Sequence, residues 1–356
     1  MAREIRVNRI KLSDLPKIYG FEAFEGNDAF GIFSSGEVIG EVASAADRLG
    51  VDLAETEGTD LPRRLSEALE SEDNDIKREA EHLAAGLGRR LGLIFYVLKR
   101  DTAMTLKANP WYSAEDFDLW HSIRSIYLVG GLANGNLGKT LAKYACEVLS
   151  ELGVDGVSVK TGLYPSHAQL VGIARLTDGA KKALLFDFGH TFVKSAVASF
   201  EDGKLAELAI RPKVPSQYMG RGFANEDEEK KDALRLHGFI VDIISAGILA
   251  FNEELSYTVA VSIANNVTDG RINGGGCYCK LRRLGENYAD ILSAAVSAQV
   301  GREIKIVLVH DGKAAALCFD EEENAVAVAL GTAFGVGYTE GRHDLCAVSE
   351  DLLISS

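Results

Sequence analysis

The chain has 356 residues, 47% of them hydrophobic and 25% charged, a balance that suits a globular protein long enough for two lobes. A formal net charge of −14 with no basic block argues against a nucleic-acid partner, which needs a local Lys/Arg surplus. The charged start MAREIRVNRIKLSD and the lack of an apolar run of ~18 residues argue against a secretory signal and a membrane partner. The expectation is therefore a cytoplasmic protein whose five scattered cysteines are reduced.

Taken in order, residues 1–35 show no clean period and read as irregular structure or short strands. Apolar spacing from Gly36 to Asp47 predicts a helix, and Asp60 followed by Pro62 marks another helix start. Ile76 to Leu98 places Ala80, Leu83, Leu87, Leu91, Ile94 and Val97 on one face, which predicts a long packed helix. Lys99 to His121 reads as loop. Ser125 to Val129 reads as a strand running into Gly130 and Gly131, then a helix from about Leu137 to Leu152; glycines there let a nucleotide approach the backbone closely. Within that unit, Ala133 to Thr140 (ANGNLGKT) fits a relaxed phosphate-loop pattern and makes a P-loop NTPase a rival reading. A short strand at Gly156 to Val159 precedes a helix capped by Ser166, in which His167 is a surface or packing residue.

Ala183 to Ser199 (ALLFDFGHTFVKSAVAS) reads as a β-hairpin with Asp187 at its mouth and Gly189, His190 and Thr191 in its turn. A strand that delivers a carboxylate to a Gly- and Thr-containing turn suits a nucleotide: the acid can hold a metal-bound water, and the turn can meet phosphate oxygens. Taken alone, the same pattern also describes an ordinary hairpin with a polar tip. The charge run Glu226 to Lys231 leads into an apolar helix, His237 to Phe251. A strand at 257–263 then ends in a polar, Gly-rich loop holding Asn265 and Asn266, of the kind that lines clefts. Cys277 and Cys279 are a candidate metal pair without a second pair beside them. After a helix at 288–300, the strand Ile304 to Val309 ends in His310-Asp311-Gly312, where Asp311 either caps the Ala-rich helix that follows or does chemistry at a strand end. A last hairpin, from Ala325 on, turns through Gly331, Thr332 and Gly335.

As a set, D-F-G-H-T (187–191), H-D-G-K-A-A-A (310–316), L-G-T-A-F-G-V-G (330–337) and Y-L-V-G-G-L (127–132) resemble the phosphate-1, catalytic-aspartate, phosphate-2 and adenosine motifs of the actin, hexokinase and heat-shock-chaperone ATPase superfamily. They look most like its repressor/open-reading-frame/kinase (ROK) sugar kinases. The adenosine unit precedes phosphate 1, so the resemblance implies a circular permutation: reading from Ala183 to the end and then from the start restores the family order. The implied fold is α/β, a two-lobed ribonuclease H-like, actin/hexokinase-type ATPase. Residues 1–178 plus 320–356 would form the adenosine and phosphate-2 lobe, and 179–319 the phosphate-1 lobe.

The implied activity is ATP- and Mg²⁺-dependent phosphoryl transfer to a hydroxyl of a sugar or polyol. In this reading Asp187 holds Mg²⁺ through water, and Gly189, His190 and Thr191 wrap the terminal phosphates. Gly331, Thr332 and Gly335 form the second phosphate contact, Gly130 and Gly131 flank the adenosine, and Asp311 accepts the hydroxyl proton. His310, Asn265 and Asn266 would face the substrate, and a homodimer is the expected assembly. The chain departs from the family at His190, where a Gly is usual, and at His310, where an Asn is usual. It also lacks a Cys-rich zinc motif around residues 20–33 and a Glu-x-Gly-His element, of which Arg6 to Ile10 is at best a relic. The alternative in another class is a nucleotide- or sugar-binding relative without turnover. No helix-turn-helix segment is evident, which disfavours the repressors.

Overall fold

The computed structural model describes residues 5–177, 181–218, 222–251 and 255–355. It is an α/β protein that divides into two compact units, Met1–Ser166 with Asn324–Val336 (unit 1) and His167–Glu323 with Gly337–Ser356 (unit 2). The boundary expected at 178/179 falls outside the described residues. Residues 167–177 and 337–355 group with unit 2, not with the lobe to which the sequence reading gave them. No helix among the described residues is long and apolar enough to cross a membrane.

In chain order, unit 1 begins with α1 (Ala29–Ile32), α2 (Ser35–Ser44), α3 (Leu61–Ala68), α4 (Asn74–Leu98), α5 (Ala103–Ala108), α6 (Ala114–Ser122), β1 (Ser125–Val129), α7 (Gly135–Glu151) and β2 (Ser158–Thr161). Unit 2 follows with α8 (Ala168–Ala174), β3 (Lys182–Phe188), β4 (Phe192–Glu201), β5 (Lys204–Ile210), β6 (Val214–Pro215), α9 (Glu226–Leu249), β7 (Thr258–Ile263), β8 (Asn265–Thr268), β9 (Arg271–Gly276), α10 (Tyr288–Val300), β10 (Lys305–His310) and α11 (Asp311–Ala316). The chain returns to unit 1 with β11 (Ala325–Ala329) and the first two residues of β12 (Gly335–Tyr338), whose last two group with unit 2, and β13 (Ala347–Ser355) closes unit 2.

Local chemistry sets these boundaries. Asp73 accepts the N–H groups of Asp75 and Ile76 and starts α4, and Asn225 accepts that of Glu228 and starts α9. Four acids crowd the first turn of α9, where the positive end of the helix dipole favours them, so the charge run belongs to the helix. The stretch 99–121, expected as loop, contains α5 and α6. Thr102 caps the first, and a Ser113/Asp116 capping box starts the second, so two short helices form where the apolar pattern is weak. The stretch 264–276, also expected as loop, is the β8–β9 hairpin. Its Asp269-Gly270 turn has both residues at positive φ, 49° and 77°, the geometry that a two-residue hairpin favours.

In unit 1, α4 lies against α7 through Gly88 and Gly92. A Cβ on either would stand 2.8 Å from Tyr144 Cβ or 2.7 Å from Val148 Cβ, so only glycine permits this approach. The sheet runs β12-β11-β1-β2, with β1 parallel to both β11 and β2. In unit 2 the sheet runs β10-β7-β3-β4-β5-β13. Here β3, β4 and β5 form an antiparallel meander, β7 and β10 continue parallel to β3, and β13 lies parallel to β5. One face of this sheet buries Leu184, Phe186 and Phe188 against Leu236, Ile240 and Ile244 of α9 and Leu292 and Val296 of α10. At roughly 1.5–3 kcal/mol per large apolar side chain, that burial holds β3 rigidly enough to aim its last residues.

Candidate functional site

Three neighbouring strands of unit 2 carry a polar residue at their last or last-but-one position. The register pairs Asp187 with Ser262 and with Lys194, and His310 with Ile263, so β3, β7 and β10 finish side by side. Asp187 is 4% exposed. Ser262 donates its hydroxyl to Oδ1 at 2.7 Å, and Lys194 Nζ stands 3.8 Å from Oδ2. Burial pushes the Asp187 carboxyl up from its ordinary value; the Lys194 charge and the Ser262 hydrogen bond pull it back, and the Asp311 charge pushes it up again. The two carboxylates that the sequence singles out thus share one electrostatic neighbourhood.

Asp311 opens α11. Its Oδ1 accepts the Gly312 N–H at 2.8 Å and lies 2.9 Å from His310 Nε2, with both side chains about one-fifth exposed (20% for His310, 23% for Asp311). It does not act as a side-chain cap; the N-cap position is His310, which makes no side-chain cap bond either.

The turn after Asp187 is tied at each residue. Gly189 offers its carbonyl to Tyr278 Oη at 2.9 Å, and that hydroxyl also meets Ser216 Oγ at 2.7 Å. His190 Nε2 touches Cys277 Sγ at 2.7 Å, and its ring meets Tyr218 edge-on at 5.0 Å. The Thr191 carbonyl accepts the Ser216 N–H at 3.0 Å. Tyr278 is fully buried, which raises its hydroxyl well above the usual range and keeps it a donor. Cys277, one of the two cysteines of the candidate metal pair, supports the turn through His190, and no group of three metal-ligating side chains occurs among the described residues.

Other cationic groups gather nearby. His167 is pushed below its ordinary value, first by burial and then by the charges of Lys194 and Lys213. Asn265 is 3% exposed, and its amide donates to the Asn266 and Asn273 carbonyls at 3.2 and 3.0 Å, so it ties the β8–β9 hairpin. Asn266 is half-buried and contributes its carbonyl to that bond.

In unit 1, β1 and β11 also end side by side, which brings Gly130 and Gly131 next to Leu330 and Gly331. Gly130 has φ 92°, and a Cβ there would stand 2.6 Å from the Leu330 carbonyl oxygen. The Ser35 N–H donates to the Gly331 carbonyl at 2.9 Å, Thr332 is exposed, and Gly335 begins β12. Asn8 grips the same turn, accepting the Phe334 N–H and donating to the Phe334 carbonyl, each at 2.8 Å. The stretch 133–140 is mostly helical, with no extended loop between Ala133 and Thr140. Helix α7 starts at Gly135, so Lys139 projects, exposed, from a formed helix.

Sequence reasoning did not find Lys194, Ser262, Tyr278, Ser216 or Asn8. For Lys194 a signal existed, because a hairpin turning at 189–191 fixes the register that puts residue 194 opposite 187. The others come from distant strands and loops. Neither a protein-family model nor a curated protein matches this chain.

Proposed function

We propose that this chain transfers the terminal phosphoryl group of ATP to a hydroxyl of a sugar or related polyol, on a circularly permuted actin/hexokinase-type fold similar to that of ROK kinases. One observation carries the reading: the two sheets repeat one strand order, with the chain entering it at different points. In unit 2 the run is β4-β3-β7-β10, a hairpin followed by two parallel strands, in sequence order from β3 onward. In unit 1 it is β12-β11-β1-β2, with the hairpin last in the sequence and the parallel strands first. A ribonuclease H-like lobe is expected to have this order, and joining the chain's ends in thought restores it in unit 1.

In this reading the acceptor hydroxyl gives its proton to Asp311 as its oxygen attacks the γ-phosphorus, and the bond to the leaving nucleotide oxygen breaks. Lys194 presents a fixed positive charge where phosphate oxygens arrive, and the tied turn at 189–191 offers backbone donors without having to reorganise. The donor set fits a hard cation that arrives with the nucleotide and keeps its waters, with Asp187 holding it by one carboxylate edge; such an ion would neutralise phosphate charge. Gly130, Gly131, Gly331, Thr332 and Gly335 keep the roles that the resemblance gives them.

A second reading, a binding protein without turnover, is favoured by the 4% exposure of Asp187, which leaves little of the carboxylate open to a ligand. Calorimetry and turnover separate the two. Wild type should bind MgATP and release ADP with some member of a sugar and polyol panel. Asp187→Ala should lose the binding. Asp311→Ala should keep it within a few-fold while turnover falls about 10²- to 10⁴-fold. Binding without turnover in wild type would select the second reading, and no binding of MgATP would reject the kinase reading.

A further inference from the structure

We propose that His310 is a positioning residue for Asp311: its Nε2, 2.9 Å from Oδ1, holds that edge of the carboxylate, so that Oδ2 alone is presented to the acceptor hydroxyl. The inference rests on the kinase reading and moves His310 from the substrate to the base. His310 Nε2 lies 2.9 Å from Oδ1, within ion-pair distance of the carboxylate. The Gly312 N–H donates to the same oxygen. With the Gly312 N–H and the His310 ring both on Oδ1, and no contact from the described residues on Oδ2, the carboxylate has one engaged edge and one open one.

The platform beneath it is equally constrained. A Cβ on Gly172 would lie 1.7 Å from the Ala314 carbonyl oxygen, and one on Gly337 would lie 1.9 Å from that of Gly312. The first turn of α11 is therefore seated against two bare Cα atoms and has no slack to re-aim Asp311. Rotation about its two side-chain bonds, the second of them broad and two-fold for a carboxylate, is the freedom left. His310 removes it. The other role open to the residue before a helix, capping, is not used, because its side chain makes no cap bond. A general base acts only within hydrogen-bond reach and with a lone pair aimed at the proton, so a carboxylate that turns away spends turnovers out of line.

The test is kinetic, with one structural arm. His310→Ala should lower kcat about 10- to 100-fold with KM for ATP unchanged, a part of what a general base supplies. His310→Gln, whose amide N–H reaches as far as Nε2, should recover most of the loss. An unchanged kcat in the alanine variant would overturn the proposal. So would a loss that appears as a raised acceptor KM and is not rescued by glutamine, since that is the mark of a substrate contact. If no acceptor is phosphorylated by wild type, the kinase reading fails by itself. Crystal structures of wild type and His310→Ala then decide the positioning claim: Oδ1 held in wild type and rotated in the variant supports it, and an unrotated carboxylate overturns it.

Discussion

The two sheets share a strand order and differ in what stands at the strand ends. In unit 2 the first hairpin strand has Asp187 as its last residue but one, and the outer parallel strand ends in His310 with Asp311 directly after it. At the matching ends of unit 1 stand Leu330-Gly331 and Thr161-Gly162. The turns are also shaped differently. Gly130 is shaped by what it lacks, a Cβ, against the neighbouring strand's carbonyl. The turn at 189–191 is shaped by what other segments add, from Ser216, Cys277 and Tyr278. One strand plan thus carries acids in one unit and close backbone approach in the other, and the two devices should fail to different degrees.

The largest effect should come from Gly130→Ala. The new methyl group meets backbone atoms on both sides, 2.6 Å from the Leu330 oxygen and 3.0 Å from its nitrogen, at a φ that L-residues avoid. Backbone cannot swing aside as a flexible side chain can, so the cost should be about 3 kcal/mol or more. Denaturant unfolding measures it; a midpoint within error of wild type would mean that the turn yields and that the contrast with unit 2 is false.

The matching lesion in unit 2, Tyr278→Phe, should be milder. It removes one hydroxyl that serves the Gly189 carbonyl and Ser216, and it leaves the ring packed, so about 1–2 kcal/mol is expected from the same measurement. Weaker MgATP binding should accompany it, because the turn loses one of its ties. A loss as large as that of Gly130→Ala would show that side chains, not the backbone, dominate both turns.

The contrast also explains what the sequence discloses. Strand β3, its turn and Asp187 are legible because the apolar run, the acid and the glycine are contiguous. The helix α4 is legible because its stripe repeats over 25 residues. The long polar stretches are not. The Asp269-Gly270 turn was a usable hairpin signal, but the strand residues beside it, such as Asn273 and Gly274, lack the apolar alternation that marks a strand. Short α5 and α6 depend on Thr102 and Ser113 caps instead of on periodicity. Of the site, the acids were visible and their keepers were not. Lys194 follows from register, whereas Tyr278 and Asn8 act across 89 and 326 residues of sequence, a distance no local pattern encodes.

The smallest expected effect has the opposite sign. Asp187 is buried, and burial raises its folded-state value above the ordinary 3.8 despite Lys194 and Ser262. A group raised on folding contributes stability that is fully present below its unfolded value and is lost as pH rises through the folded one. At neutral pH, well above the unfolded value, folding therefore works against the ionised form of Asp187. Asp187→Asn keeps the shape and cannot ionise, so it should melt a few °C higher than wild type at pH 7, with the gap closing as pH falls toward 4. The same variant should lose MgATP binding, which would mark Asp187 as a residue kept for its ligand at some expense to the fold. A variant less stable than wild type at pH 7, with a gap that does not depend on pH, would instead make the Lys194–Asp187 pair a structural strut, and unit 2 would then differ from unit 1 in architecture alone.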